Sequence, residues 1–330
     1  MDPDGETQPM QANPDCIPYA LNQVLATARL VSEDEWIHRK VLLRALADLA
    51  EEPDLDKSAP EIIFGCLTTA YKALGVKDPY ENEKARSNKA VSALADELRA
   101  ELDAADNRLA AAVRLALDGA AIEAGVQDRV AAEHVLRRAR AEEPARDDSE
   151  PLLRALARAE SVLYILNNAG EVILDRLLVE ELARGRSVHV VARHGPILND
   201  VTADEAREMG FEAIEGVEVL DPGAPMLGLW VEKAGKKLKR LMKEADVVIA
   251  KGQANYESLC TAERELFFLL RARSIAVANR LGVSPDVPVI LRHEPAEPAA
   301  STADAAGAAD AADAWAVRCA HGRELAPTSS

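Results

Sequence analysis

The sequence predicts an α/β protein: a Rossmann-like α/β/α sandwich with a mainly parallel sheet over residues 151–292, preceded by an α-helical domain over residues 14–150. Three observations lead there. After Leu152, short runs rich in Val, Ile and Leu alternate with amphipathic stretches, the rhythm of buried parallel strands joined by crossover helices. Before that point, apolar residues recur at helical spacing. Polar clusters directly follow several of the strand-like runs, and open parallel sheets bind ligands at those strand ends.

Residues 1–13 carry Pro, Gly, Gln and acidic side chains with almost no bulk, too little to offset the entropy of ordering, and read as a flexible arm. From Cys16 to Arg140 the apolar positions Leu21, Val24, Leu25 and Ala28, then Leu42, Leu46 and Leu49, have helical periodicity. Breaks fall at Pro53 to Pro60 and at Gly75 to Pro79, so about six helices are expected. Ala141 to Glu150 is charged and reads as a linker. Strands are expected at 162–166, 187–192, 217–220, 246–250, 266–270 and 287–291. Helices are expected at 172–183, 202–209, 231–243 and 275–281. Residues 293–330 form a low-complexity tail of Ala, Asp and Pro, expected to be disordered.

Composition narrows the partners. The 330 residues are 48% apolar, ample for buried cores, and 56 acidic against 39 basic residues give a net charge of −17. Such a balance opposes nucleic acid and anionic membranes as partners, and an anionic substrate would need a local cluster of cations. The first residues are acidic and polar where a secretory leader is basic and then apolar, and no apolar run reaches a membrane-spanning length. A cytoplasmic location is expected. Cys16, Cys66, Cys260 and Cys319 form no C-x-x-C pair, and the six histidines show no metal-binding spacing.

Four clusters carry the chemistry. Asn167-Asn168-Ala169-Gly170-Glu171 follows the first strand of the α/β region and offers two amide oxygens at the start of a helix, although the same side chains could simply cap it. In Gly195 to Thr202, Asp200 is a candidate hard-oxygen metal ligand and Asn199 could orient it or touch substrate, again with capping as the plainer reading. Lys251-Gly252-Gln253-Ala254-Asn255-Tyr256-Glu257 places a lysine and a glycine at a buried strand's end, suited to holding phosphate. Arg271 and Arg273 follow the next strand, and one of them should reach the same crevice. Gly223 to Gly228 mimics the start of a phosphate-binding loop, but Leu229 and Trp230 stand where Lys and Ser/Thr would be needed. It reads as a cleft-lining loop or a plain connection.

These clusters resemble the damage-control metabolite phosphatases, the DUF89 family. Asn167 to Asp175 parallels the family's Asp-Asn-Ala-Gly-Glu-x-x-x-Asp, Gly195 to Thr202 its Gly-x-Pro-Ile-x-Asn-Asp-x-Thr, and Lys251 to Glu257 its Lys-Gly-Gln-x-Asn-Phe/Tyr-Glu. Order and spacing agree, apart from one residue missing between Gly195 and Pro196. The resemblance extends from Cys16 to Leu291 and includes Asp78-Pro79-Tyr80. It implies a phosphatase of small phosphorylated metabolites dependent on Mn²⁺, Co²⁺, Ni²⁺ or Mg²⁺. By position, Asn167, Asn168 and Asp200 would be metal ligands, and Lys251 with the Gly252 backbone would hold the phosphoryl oxygens. Arg273 stands where many relatives have lysine, and Glu171 and Asn255 would contact substrate or support the ligands.

Three departures temper this implication. Asn167 replaces the family's aspartate, so a neutral ligand stands where a hard cation depends on charge. The family's Cys-x-x-Cys survives only as Cys16, with Tyr19 in the second place. Gly119-Ala120-Ala121-Ile122-Glu123 stands for Gly-Asn-x-x-Asp, losing an amide. An alternative is therefore a catalytically weakened member that binds phosphorylated ligands with little turnover.

Overall fold

Helical periodicity before residue 141 becomes, among the described residues, seven helices: α1 (Cys16–Val31), α2 (Glu35–Glu51), α3 (Ala59–Leu74), α4 (Glu81–Ser92), α5 (Ala95–Ala104), α6 (Arg108–Gly119) and α7 (Arg129–Arg140). The computed structural model describes residues 10–51, 57–122 and 126–295, so Glu123, the tail from 296 and residues 1–9 of the expected arm lie outside the described residues. The start of α3 shows how local sequence sets an element. Ser58 accepts from the Glu61 amide, Glu61 returns a bond to the Ser58 backbone, and a proline sits in the first turn. Gly75, at φ 69°, closes the helix in the left-handed region.

Next come β1 (Arg146–Asp147), α8 (Ser149–Leu156), β2 (Ser161–Ile165), α9 (Glu171–Leu182), β3 (Ser187–Val191), α10 (Ala203–Glu208) and β4 (Val217–Leu220). Then follow α11 (Lys236–Glu244), β5 (Val247–Lys251), α12 (Gln253–Leu259), β6 (Leu266–Arg271), α13 (Ile275–Leu281) and β7 (Pro288–His293). The sheet order is β1-β7-β6-β5-β2-β3-β4, with every pair parallel except β6 and β7. The fold is thus the expected α/β sandwich with a mainly parallel sheet. Three expectations are corrected. The linker 141–150 holds an edge strand that pairs with β7 and the start of α8. The helix foreseen at 231–243 splits into a 3-10 turn, Val231–Lys233, and α11, separated at Gly235. The short helix α12 was not foreseen.

Both faces of the sheet are covered. Val162 and Tyr164 of β2 join a core with α4 to α9, while Leu163 and Ile165 join another with α11, α12 and α13. Period-two alternation of this kind buries every strand position when helices lie on both sides. A third core unites α1, α2 and α3 with Ile197, Leu198 and Leu227 of the strand-end loops. The helical region therefore has no single core of its own. One part supports the sheet, and the other closes over the ends of its strands. Met10 and Ala12, within the expected arm, pack against two of these cores, and the Ala12 amide donates to the Lys57 carbonyl at 2.9 Å.

Candidate active site

Chain direction across the sheet reverses between β2 and β5: β3 and β4 continue to one side, β6 and β7 to the other. The loops leaving β2 and β5 must diverge there, which opens a crevice at their carboxyl ends. A cavity of about 490 Å³ occupies this place. Asn167, Asn168, Asn199, Asp200, Gly252 and Arg273 all line it. Tyr19 and Gln23 of α1 and Tyr80, which ends the Asp78-Pro79-Tyr80 run, contribute the opposite wall.

Two glycines shape the floor. Gly252 has φ 80°, and a Cβ there would lie 2.4 Å from the Asn167 carboxamide, so only glycine lets β5 approach that side chain. Gly170, also at φ 80°, presses on Ser87 and Ile122, and its amide donates to Asn88 Oδ1 at 2.6 Å. The loop carrying Asp200 is pinned to the β2 loop by main-chain bonds from Ala169 N to Asn199 O and from Val201 N to Asn167 O, each 2.8 Å. Leu198 on this loop has φ 48°, an unfavourable conformation for leucine, and its amide donates to the Tyr71 hydroxyl at 2.9 Å.

Asp200 is buried, and its Oδ2 accepts from Arg193 Nε at 2.6 Å. Burial pushes the Asp200 carboxyl up, and the Arg193 guanidinium works against that shift. Arg193 in turn donates to the Gly228 carbonyl and to Asn255 Oδ1. Asn167 donates its amide to Glu171 Oε2 at 3.0 Å. Arg273 donates to the Ala120 carbonyl at 2.7 Å; Arg271, which also lines the cavity, is tied to Asp286 and Glu142.

Three expected contacts lie beneath the floor. Lys251 is fully buried: its ammonium donates to Asp175 Oδ1 at 2.5 Å and to the Ala116 carbonyl at 2.7 Å, and it forms an ion pair with Glu171 Oε1 at 2.7 Å. Lys251 is not among the residues that line the cavity, so its ammonium is held away from a phosphoryl group there. Glu171 is consumed by Lys251 and Asn167, and Asn255 by Arg193 and the carbonyls of Leu166 and Lys251. The Gly252 amide is likewise committed, to the Leu269 carbonyl at 3.0 Å. These residues position the site from below. Asp175 shares its Oδ1 with the Tyr164 hydroxyl, and burial raises its carboxyl to about 7 against the pull of Lys251.

Sequence reasoning missed Arg193, although it stands just after β3 as Lys251 stands at the end of β5, the same signal of a cation at a strand end. It also gave no role to Glu257, which lines the cavity and whose carboxyl is driven up to about 8 by burial. Among the described residues no cluster of three or more His, Cys, Asp or Glu side chains forms a metal site. The donors gathered here are instead two amides and one carboxylate. Nor, among the described residues, is any helix long and apolar enough to cross a membrane.

Comparison with known proteins agrees with this architecture. The family model described as the damage-control phosphatase ARMT1-like domain matches residues 12–287. A damage-control phosphatase of Pyrococcus horikoshii is 30% identical over 292 residues, covering 86% of this chain and 99% of the relative. Another, of Archaeoglobus fulgidus, is 28% identical over 280 residues, covering 83% and 96%. The crystal structure of a DUF89 family protein from Pyrococcus horikoshii superposes with a TM-score of 0.80 at 28% identity, covering 86% of this chain and all of that one.

Proposed function

Because the chain belongs to the damage-control phosphatase ARMT1-like domain family, we propose that it hydrolyses small phosphorylated metabolites with a divalent cation at the strand ends. The observation that carries this reading is the convergence of Asn167, Asn168 and Asp200 on one cavity that Arg273 also borders. Oxygen donors of this kind suit a hard cation such as Mn²⁺, Co²⁺, Ni²⁺ or Mg²⁺. Their types fit; their charge is low, since Asp200 alone is anionic and it already meets Arg193. A cation bound there would neutralise phosphoryl charge and acidify a water.

The remaining roles belong to the chain itself. Arg273 supplies the cation that meets the phosphoryl oxygens, and Asn199 on the same wall orients the ester. Lys251 offsets the charge of Glu171, so that Glu171 can hold the Asn167 amide in place. Gly252 gives the substrate room against that side chain. The α1 and Tyr80 wall excludes water from the opposite side.

Phosphatase assays of the purified chain with each of the four metals, beside a metal-free control, test the proposal. Metal-stimulated release of phosphate supports it. The pairing of Asp200 with Arg193 and the neutral Asn167 favour a second reading, a binding protein of low turnover. Tight binding of phosphate esters without hydrolysis under any metal would select that one.

A further inference from the structure

A second cavity, of about 390 Å³, shares a wall with the strand-end cavity: Tyr19, Ile63, Gln253, Glu257 and Arg273 border both. None of the donors Asn167, Asn168 or Asp200 reaches it. Its own lining is of different character, with Met10, Ala59, Ile275 and Ala276 beside the polar side chains of Gln11 and Asn13 and one acid, Asp15. Binding cavities for drug-sized ligands run from roughly 300 to 1,000 Å³, so a compact phosphate ester would fit in the first chamber alone. The second therefore suits an additional arm on the substrate.

Glu257 stands at the junction, and its hydrogen bonds have a fixed sense. The Ser274 amide donates to Gln253 Oε1 at 2.9 Å, which turns the Gln253 NH₂ toward Glu257 Oε1 at 3.2 Å. Oε1 is therefore an acceptor. Among the described residues Oε2 has no hydrogen-bond partner, and it is the oxygen left to carry a proton. Burial favours the protonated, neutral form of this carboxyl. A neutral acid with one oxygen already accepting offers an O–H donor from the other.

We infer that Glu257 is a specificity-determining residue, donating a hydrogen bond to a carbonyl or other acceptor oxygen on an uncharged arm of an elongated phosphomonoester. The phosphate lies in the strand-end cavity, and the arm crosses the Gln253–Glu257 wall into the second chamber. The inference rests on the phosphatase reading for its phosphate end, but not for its arm. Gln253 acts as a positioning residue that sets which Glu257 oxygen donates.

Two synthetic esters of different length test it: acetamidoethyl phosphate, too short to cross the wall, and acetamidohexyl phosphate. With Mn²⁺ and the full chain, kcat/KM should favour the longer ester by about tenfold, the worth of one well-placed hydrogen bond with some apolar contact. Glu257→Ala should abolish that ratio and Glu257→Gln, which still presents an N–H donor, should keep most of it. Ala276→Phe fills the second chamber by another route and should also erase the ratio, so the test survives a Glu257 variant that fails to fold. Equal kcat/KM for both esters, or an equal loss on both in the Glu257→Ala and Ala276→Phe variants, overturns the inference while leaving the phosphatase intact. If neither ester is hydrolysed, the phosphatase reading fails instead. Calorimetric titration of the same esters then decides the subsite, a tighter Kd for the longer one supporting it and equal values overturning it.

Discussion

At position 167 a single atom pair decides between two opposing needs. Asn167 donates to Glu171, so Asn167→Asp would set two carboxylates in contact at 3.0 Å without a cation to separate them. With a cation, the added charge should strengthen binding by about 1 to 3 kcal/mol, or roughly ten- to a hundredfold in Kd. The expected result for Asn167→Asp is a lower melting temperature in chelator and tighter Mn²⁺ binding by calorimetry. Unchanged affinity would remove Asn167 from the ligand set. Glu257 supplies a pH signature. Its carboxyl rises from 4.5 to about 8 in the folded chain, so the native state holds a proton that the unfolded chain releases. Its contribution to stability is full below pH 4.5 and is lost as pH climbs through 8, on the order of a few kcal/mol. Glu257→Gln should therefore raise the melting temperature relative to wild type at pH 8.5 and much less at pH 5. A constant difference across that window would contradict the assignment.

Among the elements, β5 and α9 are tied beneath the site by a buried cluster of charges. Lys251 reaches from the last residue of β5 to two carboxylates of α9, and all three groups are fully buried. Removing the lysine leaves that charge uncompensated, at a cost of about 3 to 5 kcal/mol. Lys251→Met should lower the denaturation midpoint accordingly, and adding Asp175→Asn should recover part of the loss. A normal midpoint with a raised KM would instead restore Lys251 as a direct phosphate contact. Here the sequence was legible in placement and misleading in role: a lysine at a strand end was visible, but the acidic pair on α9 that absorbs it shows only once β5 and α9 are packed. Long apolar runs such as those of β2, β5 and β6 were readable because burial on both faces demands them. The seven-residue α12 was not, because Gln253 to Leu259 is mainly polar and too short to show periodicity, and its order comes from the tertiary bonds of Asn255 and Gln253.

At the scale of the whole molecule, the site is composite. The strand ends bring the donors, and α1, α3 and the Tyr80 turn, distant in sequence, supply the cover, which is why the polar clusters were readable and the cavity's opposite wall was not. Residues 10–13 belong to that assembly. Deleting residues 1–13 should lower the melting temperature, through loss of the Met10 and Ala12 contacts, while deleting 296–330 should leave it within about 2 °C. On the proposed reading, Arg273 on the cavity wall would draw in an anionic ester against the excess negative charge elsewhere. On the proposed reading, Asp200 anchors a cation on which phosphate release depends. The most direct test is Mn²⁺-stimulated phosphatase activity of wild type and Asp200→Asn side by side, with folding checked by circular dichroism. The folded variant should lose at least about a hundredfold of the stimulated rate; a folded variant with wild-type stimulation by Mn²⁺ would remove Asp200 as the cation's anchor.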